Sequence, residues 1–361
     1  MKVVLSGGGT GGHIYPGLAV AQALREQGAP ELLYIGVRGR MDEQIVGAAG
    51  LPLETVSAAP LRVGSPLGMV RNAVSLAIGV VQSWRILGRF RPDAVFATGG
   101  YASVPVGVAA RLRQLPLLVY LPDVRPGWAV RLLARLATRI AATTERSMAD
   151  LPAGKAVAAG YPVRASFWSA TREAARAKLG LPQDEKVLLV TGASQGARRL
   201  NEAVVAQLEG LLAVCHVMHL TGRADETELL AKRDALPEAQ RARYHVLGYL
   251  EDMADAMAAA DLAVMRSGAS VLGELPAAGL PAVLVPGVYQ GGYDQRANAR
   301  YLADEGCAVV LENEELGRLT DVVRDLLADE TKRRAMSDAA RRLAQPDAAR
   351  TIARMLTELA A

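Results

Sequence analysis

The stretch Gly7-Gly8-Gly9-Thr10-Gly11-Gly12-His13 sets one hydroxyl and one imidazole among five glycines, directly after the apolar run Val3-Val4-Leu5. Glycines at a strand-to-helix turn let the backbone approach an oxyanion, and the free N–H groups of the helix start favour negative charge there. Thr10 would add a hydroxyl donor. The spacing Gly7, Gly9, Gly12 also satisfies the G-x-G-x-x-G dinucleotide fingerprint. That fingerprint has no use for His13. The strand end Tyr34-Ile35-Gly36-Val37-Arg38 lacks the acidic residue that holds a ribose, although Arg38 and Arg40 would suit a 2′-phosphate. A histidine titrates near neutrality and is suited to moving a proton. On this turn alone, an NADP-dependent reductase and a proton-transferring site on another phosphate ligand both stand.

A second constellation lies in the other half. Arg266-Ser267-Gly268-Ala269-Ser270 follows the apolar run Leu262–Met265 and leads into Val271-Leu272-Gly273-Glu274-Leu275. Gly268 and Ala269 bring backbone N–H groups to an anion at the helix start, and Glu274 follows about one turn later. A carboxylate accepts several hydrogen bonds at once, which suits the vicinal hydroxyls of a ribose. Phosphate on the helix start with ribose on Glu274 describes a nucleotide sugar, and a single-cofactor reductase does not require this second site.

Rigid elements must hold these turns. Val3–Leu5, Leu32–Ile35, Ala94–Ala97, Leu117–Leu121, Ile140–Ala142, Val187–Val190, Val214–Leu220, Leu262–Met265, Ala282–Val285 and Ala308–Leu311 read as buried strands separated by helical stretches. Continuous apolar strands alternating with helices predict parallel sheets covered on both faces. Tyr161–Lys186 has no strand-like run, and after it a strand, a glycine turn and a helix recur in Val187–Val190 and TGASQGARRLN. The expectation is α/β: two doubly wound Rossmann-like domains facing across a cleft, with ligands at the carboxyl ends of the strands. Gln345-Pro346 interrupts the helical tail, and Asp347 is placed to cap a last helix, Ala348–Leu359, that crosses back. The expected division is 1–162 with 346–361, and 163–345.

The 361 residues are 51% hydrophobic and 22% charged, with a formal charge of +4. The chain is globular and tolerates phosphates or anionic lipid, and no Lys/Arg block suggests nucleic acid. Cys215 and Cys307 read as reduced thiols, with no metal motif. Met1-Lys2-Val3 runs into a strand, so no signal peptide is expected, and no apolar stretch reaches the roughly 20 residues of a spanning helix. Asn72–Trp84 is uncharged and flanked by Arg62, Arg71, Arg85, Arg89 and Arg91. It reads either as a helix buried in the first domain or as an interfacial patch. In the patch, apolar residues including Trp84 meet the bilayer, and Arg62, Arg71, Arg85 and Arg89 meet anionic head groups.

GGGTGGHIYPGLAVA, TGGYASVP (Thr98–Pro105), GYPVR (Gly160–Arg164), GASQGARRLN (Gly192–Asn201) and RSGASVLGELPAAGLPAVLVP (Arg266–Pro286) resemble, in order, the motifs of the MurG family. The resemblance implies a GT-B fold and an inverting transferase without cofactor or metal. Its expected reaction moves N-acetylglucosamine from UDP-N-acetylglucosamine to the C4 hydroxyl of the lipid-linked muramoyl-peptide acceptor, lipid I, giving lipid II. The expected setting is the cytoplasmic face of the cell membrane, peripherally bound to an anionic surface and within a cell-wall synthesis complex. The resemblance assigns Arg164, Ser194, Gln195 and Gly196 to the donor diphosphate or sugar, and Leu250 to uracil. It assigns Ala269 and Ser270 to phosphate, Glu274 to ribose, and Gln295 with Asn298 to the sugar hydroxyls. Thr10, Gly11 and Gly12 join the donor set and, with His13, face the acceptor diphosphate and the reacting hydroxyl. Gly9, Tyr101 and Asn201 fall on the acceptor side.

Three places depart from that pattern. The family's His-Glu-Gln-Asn run reads Tyr120-Leu121-Pro122-Asp123, so its glutamate is lost and a carboxylate replaces its asparagine. A threonine is replaced by Val271, and the acidic-His-Gln segment reads Tyr293-Asp294-Gln295. Asp123 therefore becomes a catalytic candidate, either orienting His13 or acting as the base itself. The other reading makes it a cap for the helix after Pro126. The departures also leave room for a relative with another lipid or sugar acceptor, or for a non-catalytic nucleotide-sugar-binding protein.

Overall fold

The computed structural model describes residues 1–8, 11–39, 41–59, 66–192, 196–289 and 293–361. The chain divides into two compact units, Met1–Arg164 with Tyr289–Tyr293 and Gln345–Ala361, and Ala165–Val288 with Asp294–Ala344. Arg164 thus clusters with the first unit, two residues beyond the boundary expected from sequence.

The first unit holds β1 (Lys2–Ser6), β2 (Glu31–Val37), β3 (Leu53–Val56), β4 (Ala94–Ala97), β5 (Leu117–Leu121), β6 (Arg139–Ala142) and β7 (Ala156–Ala158) in the order β3-β2-β1-β4-β5-β6-β7. All are parallel. The second holds β8 (Val187–Thr191), β9 (His216–Leu220), β10 (Tyr244–Leu247), β11 (Leu262–Met265), β12 (Ala282–Leu284) and, after a two-stranded ribbon of β13 (Val288–Tyr289) and β14 (Tyr293–Asp294), β15 (Ala308–Val310). Its parallel order is β10-β9-β8-β11-β12-β15. Both sheets therefore reverse direction beside their first strand, between β1 and β4 and between β8 and β11. In an open α/β sheet that switch point is where the carboxyl-end loops part and ligands bind. The glycine turns after β1 and β8 lie at these points, with the loops after β4 and β11 beside them.

Strand burial explains what the sequence pattern revealed. β1, β4, β5, β8, β9 and β11 lie inside their sheets and are almost wholly buried, so they read as continuous apolar runs. The strands missed are the sheet edges β3, β7 and β10 and the two-residue ribbon strands β13 and β14; in β3 and β10, Leu53-Glu54-Thr55-Val56 and Tyr244-His245-Val246-Leu247 mix polar and apolar residues. The run expected from Val214 enters its strand only at His216, because Val214 and Cys215 still donate to the Leu211 carbonyl of the preceding helix.

The final helix, Ala348–Ala360, packs on Gly11–Gln27 in the first unit. Asp347 occupies its N-cap position, but no cap bond comes from the side chain, which pairs with Arg350 at 3.0 Å. The helix after Pro126 is Trp128–Leu136, and its N-cap position is held by Gly127, not by Asp123.

Candidate active site

In the first unit, the turn after β1 and the loop after β4 are joined residue to residue. The His13 Nδ1–H donates to the Thr98 carbonyl at 3.0 Å, and the Thr98 hydroxyl donates back to the His13 carbonyl at 2.6 Å. The Thr98 amide is tied to Ser6 O at 2.8 Å. Tyr34 donates its phenol to Gly7 O at 2.7 Å, and Tyr161 reaches Gly12 O at 3.2 Å. The glycines make this contact possible. A Cβ on Gly7 would overlap the Thr98 hydroxyl, and one on Gly100 (φ +72°) would sit 2.6 Å from Gly8 O. Part of the glycine density thus serves loop-on-loop packing around His13, a use that the turn read by itself does not reveal.

A carbonyl can only accept, so the bond to Thr98 puts the His13 proton on Nδ1 and leaves the Nε2 lone pair available. Burial lowers the His13 pKa below the ordinary imidazole value, while the Asp123 charge and the Thr98 bond pull it upward. The bond that fixes the His13 ring thus runs to a backbone carbonyl, where Asp123 was expected to orient it. Asp123 acts on His13 through its charge. Its own Oδ1 accepts the Tyr293 hydroxyl at 2.9 Å. Tyr120 and Leu121, from the altered run, are core residues with no exposure. The Tyr120 phenol is taken by Thr143 Oγ1 at 2.7 Å and Gly160 O at 3.2 Å. Tyr101 lies in the first turn of the helix Gly100–Leu112 that follows the Thr98 loop. Arg164 stacks over Tyr15, 4.7 Å from the ring centroid, above the helix that begins at Gly11 and Gly12.

In the second unit, the helix Val271–Ala278 starts immediately after Gly268-Ala269-Ser270, and its backbone ladder begins with Val271 N–H to Gly268 O. The N–H groups of Gly268, Ala269 and Ser270 precede that ladder, as an anion site requires. Glu274 is half-buried in the first turn, and Gly279 at φ +59° ends the helix. Gln295 and Asn298 are buried against the same turn. Gln295 accepts from Gly287 N at 2.9 Å and from Ser267 Oγ through its carbonyl at 3.1 Å, and Asn298 donates to Ser267 O at 3.0 Å. Arg266 does not point an idle guanidinium at this turn: it is spent on Val285 O, Pro286 O and Asn313 Oδ1. Gly196 (φ +71°) packs on the Thr221 carbonyl. Leu250 lines a cavity of about 750 Å³ along edge strand β10, with Met218, Tyr244 and Leu247. Gly9, Thr10, Ser194, Gln195 and Arg62 lie outside the described residues.

The comparisons with known proteins fit this geometry. The family models of the glycosyltransferase family 28 N-terminal and C-terminal domains match residues 3–142 and 187–352. A Roseiflexus sp. (strain RS-1) protein named UDP-N-acetylglucosamine--N-acetylmuramyl-(pentapeptide) pyrophosphoryl-undecaprenol N-acetylglucosamine transferase is 41% identical, over 93% of this chain and 90% of its own. A Salinibacter ruber protein of the same name is 40% identical over 99% and 96%. The crystal structure of Acinetobacter baumannii MurG aligns with a TM-score of 0.75 and 26% identity, over 99% of both chains. The chain belongs to the MurG family.

Membership in the MurG family, with its GT-B fold, overturns the reductase reading of the first turn. The family resemblance had placed Asn201 on the acceptor side. In this MurG-family chain, Asn201 is buried and its amide is consumed internally. It accepts from His219 Nε2 at 3.0 Å and donates to Thr221 O at 2.9 Å and Asp225 at 2.8 Å. His219 Nδ1 in turn meets the Tyr244 hydroxyl at 2.9 Å. This network braces the Thr221–Gly222 loop on which Gly196 rests. The residues missed by sequence reasoning are Tyr293, Tyr34, and Thr98 as the partner of His13. A threonine and two glycines after the buried run Ala94–Ala97 were the available signal for Thr98.

The uncharged stretch forms the helix Pro66–Phe90, with one face buried and another exposed. Asn72, Leu76, Ser83, Ile86 and Leu87 are buried, whereas Leu67, Val70, Val74, Ile78, Val81 and Trp84 are exposed at helical spacing. Gly79 and Gly88 sit where a Cβ would strike Ser57 O and the Arg113 guanidinium, so they are points of close packing. Arg71, Arg85 and Arg89 are exposed on this helix, and Arg113 stacks on Trp84 with 3.9 Å to the ring centroid. Among the described residues, no helix is long and apolar enough to cross a membrane.

His219 gives a test of the buried network. Burial pushes its pKa down from 6.5 to about 3, so the folded protein holds it neutral. The unfolded chain binds the proton first on acidification. The stabilisation is therefore complete above about pH 6.5 and is lost as pH falls toward 3, at about 1.4 kcal/mol per pH unit. Urea unfolding of the wild type should lose stability between pH 6 and 4 more steeply than that of His219→Gln, by about that slope. Parallel curves would show that His219 is not held neutral by the fold.

Proposed function

We propose that the chain transfers N-acetylglucosamine from UDP-N-acetylglucosamine, with inversion, to the C4 hydroxyl of lipid I, giving lipid II. What carries this reading is the relationship at 40–41% identity, over at least 90% of each relative, to two proteins whose names state that transfer. His13 Nε2 removes the acceptor proton as the hydroxyl oxygen attacks C1 of the sugar. The C1–oxygen bond to UDP breaks on the opposite face. The charge left on the diphosphate is met by the helix start at Gly268, Ala269 and Ser270 and by Arg164. Glu274 holds the ribose, Leu250 the uracil, and Gln295 with Asn298 the sugar. A positioned base of this kind contributes about 10²–10⁴-fold. The first unit takes the acceptor, and the apolar stripe from Leu67 to Trp84, with Arg71, Arg85 and Arg89, lies on an anionic leaflet.

Incubation with radiolabelled UDP-N-acetylglucosamine and lipid I should yield lipid-linked label that depends on both. Label transfer only to a different lipid would establish another acceptor. UDP should raise the melting temperature while NADPH leaves it unchanged. Glu274→Ala should weaken UDP binding by about 10- to 100-fold, the effect of losing a charged hydrogen bond of about 1.5–3 kcal/mol. Unchanged affinity in calorimetry would remove Glu274 from the ribose. Co-sedimentation with anionic vesicles should weaken at 1 M salt, where the Debye length is about 3 Å, and in Arg85→Glu with Arg89→Glu. Binding insensitive to both would place the membrane face elsewhere.

A further inference from the structure

The ribbon residues Tyr289–Tyr293 cluster with the first unit, and they bring a side chain to its active-site edge. Tyr293 donates its hydroxyl to Asp123 Oδ1 at 2.9 Å. Asp123 follows the end of β5, on the same carboxyl edge of the sheet as the His13 turn and the Thr98 loop. It is buried, with 8% exposure. Tyr293 stacks on Tyr289, their ring centroids 5.9 Å apart, which restrains the ring that carries the donor. Both Tyr293 and Asp123 are positions where the sequence departs from the MurG pattern.

We propose that Tyr293 is a positioning residue for the transfer, acting through Asp123 on the proton acceptor His13. A buried carboxylate is costly unless hydrogen-bonded, and a donor to its charged form favours that form. The phenol fixes one carboxylate oxygen, and the Asp123 charge makes His13 a stronger base than its buried surroundings alone would allow. Among the described residues, His13 from the first turn, Tyr120 from β5 and Tyr293 from the ribbon are titratable groups that interact with Asp123. Burial raises the Tyr120 phenol well above its ordinary value, so it stays neutral, and the negative charge acting on His13 is that of Asp123. No new chemical step is added; the proton still moves from the acceptor hydroxyl to His13 Nε2.

This inference rests on the transferase reading, and the test separates the two. Tyr293→Phe removes only the hydroxyl and keeps the stacked ring. It should lower kcat about 10-fold with the KM for UDP-N-acetylglucosamine unchanged. Asp123→Asn removes the charge. It should lower kcat about 100-fold and move the acid limb of the kcat/KM profile to lower pH, because the group that raises His13 is gone. The double variant should match Asp123→Asn within about 2-fold, since the tyrosine has no carboxylate left to act through. A Tyr293→Phe enzyme with wild-type kcat, or effects that multiply in the double variant, overturns the role of Tyr293. Absence of sugar transfer by the wild type would instead overturn the transferase reading.

Discussion

The reciprocal bond between His13 and Thr98 holds the carboxyl edge of the first unit's sheet together. Each residue donates one hydrogen bond to the other's carbonyl, and those two bonds fasten the turn after β1 to the loop after β4 across the switch point of the sheet. One interaction thereby does two things. It sets the spacing of the loops that must receive a ligand, and it selects the histidine tautomer whose free nitrogen can take a proton. The glycines at 7 and 100 follow from it, because side chains there would force the two loops apart.

The second unit supports its corresponding turns in another way. Its support is polar and internal: Asn298 donates to the Ser267 carbonyl, the Ser267 hydroxyl donates to the Gln295 carbonyl, and Asn201 and His219 brace the loop beneath Gly196. These side chains are of the type that contacts ligands, yet much of their hydrogen-bonding capacity is already used by the protein. Asn201 is the clearest case. Its expected place on the acceptor side came from a motif, and a motif does not distinguish a residue that touches the ligand from one that holds the residue that does.

The interior strands were legible because each is buried on both faces; the edge strands β3 and β10 were not because polar residues interrupt their apolar runs, and β7 was not because Ala156–Ala158 is only three residues long. The repeat of a strand, a glycine turn and a helix disclosed two doubly wound sheets. His13 and Glu274 were identifiable from their places at helix starts. What a linear reading lacked was the pairing between loops distant in sequence: Thr98 lies 85 residues from His13, and Tyr293 lies 170 from Asp123. The altered run Tyr120–Asp123 also resolves only in three dimensions. Its first two residues are core, and its carboxylate accepts the Tyr293 hydroxyl.

The central claim is that His13 is a neutral imidazole protonated on Nδ1, with Nε2 ready to accept a proton. Nitrogen-15 NMR of histidine-labelled protein, with His13 assigned by comparison with His13→Gln, reads this directly. At pH 7.5, the account predicts a protonated Nδ1 and an unprotonated Nε2 for His13. A proton on Nε2 with Nδ1 bare, or an imidazolium at that pH, would contradict it.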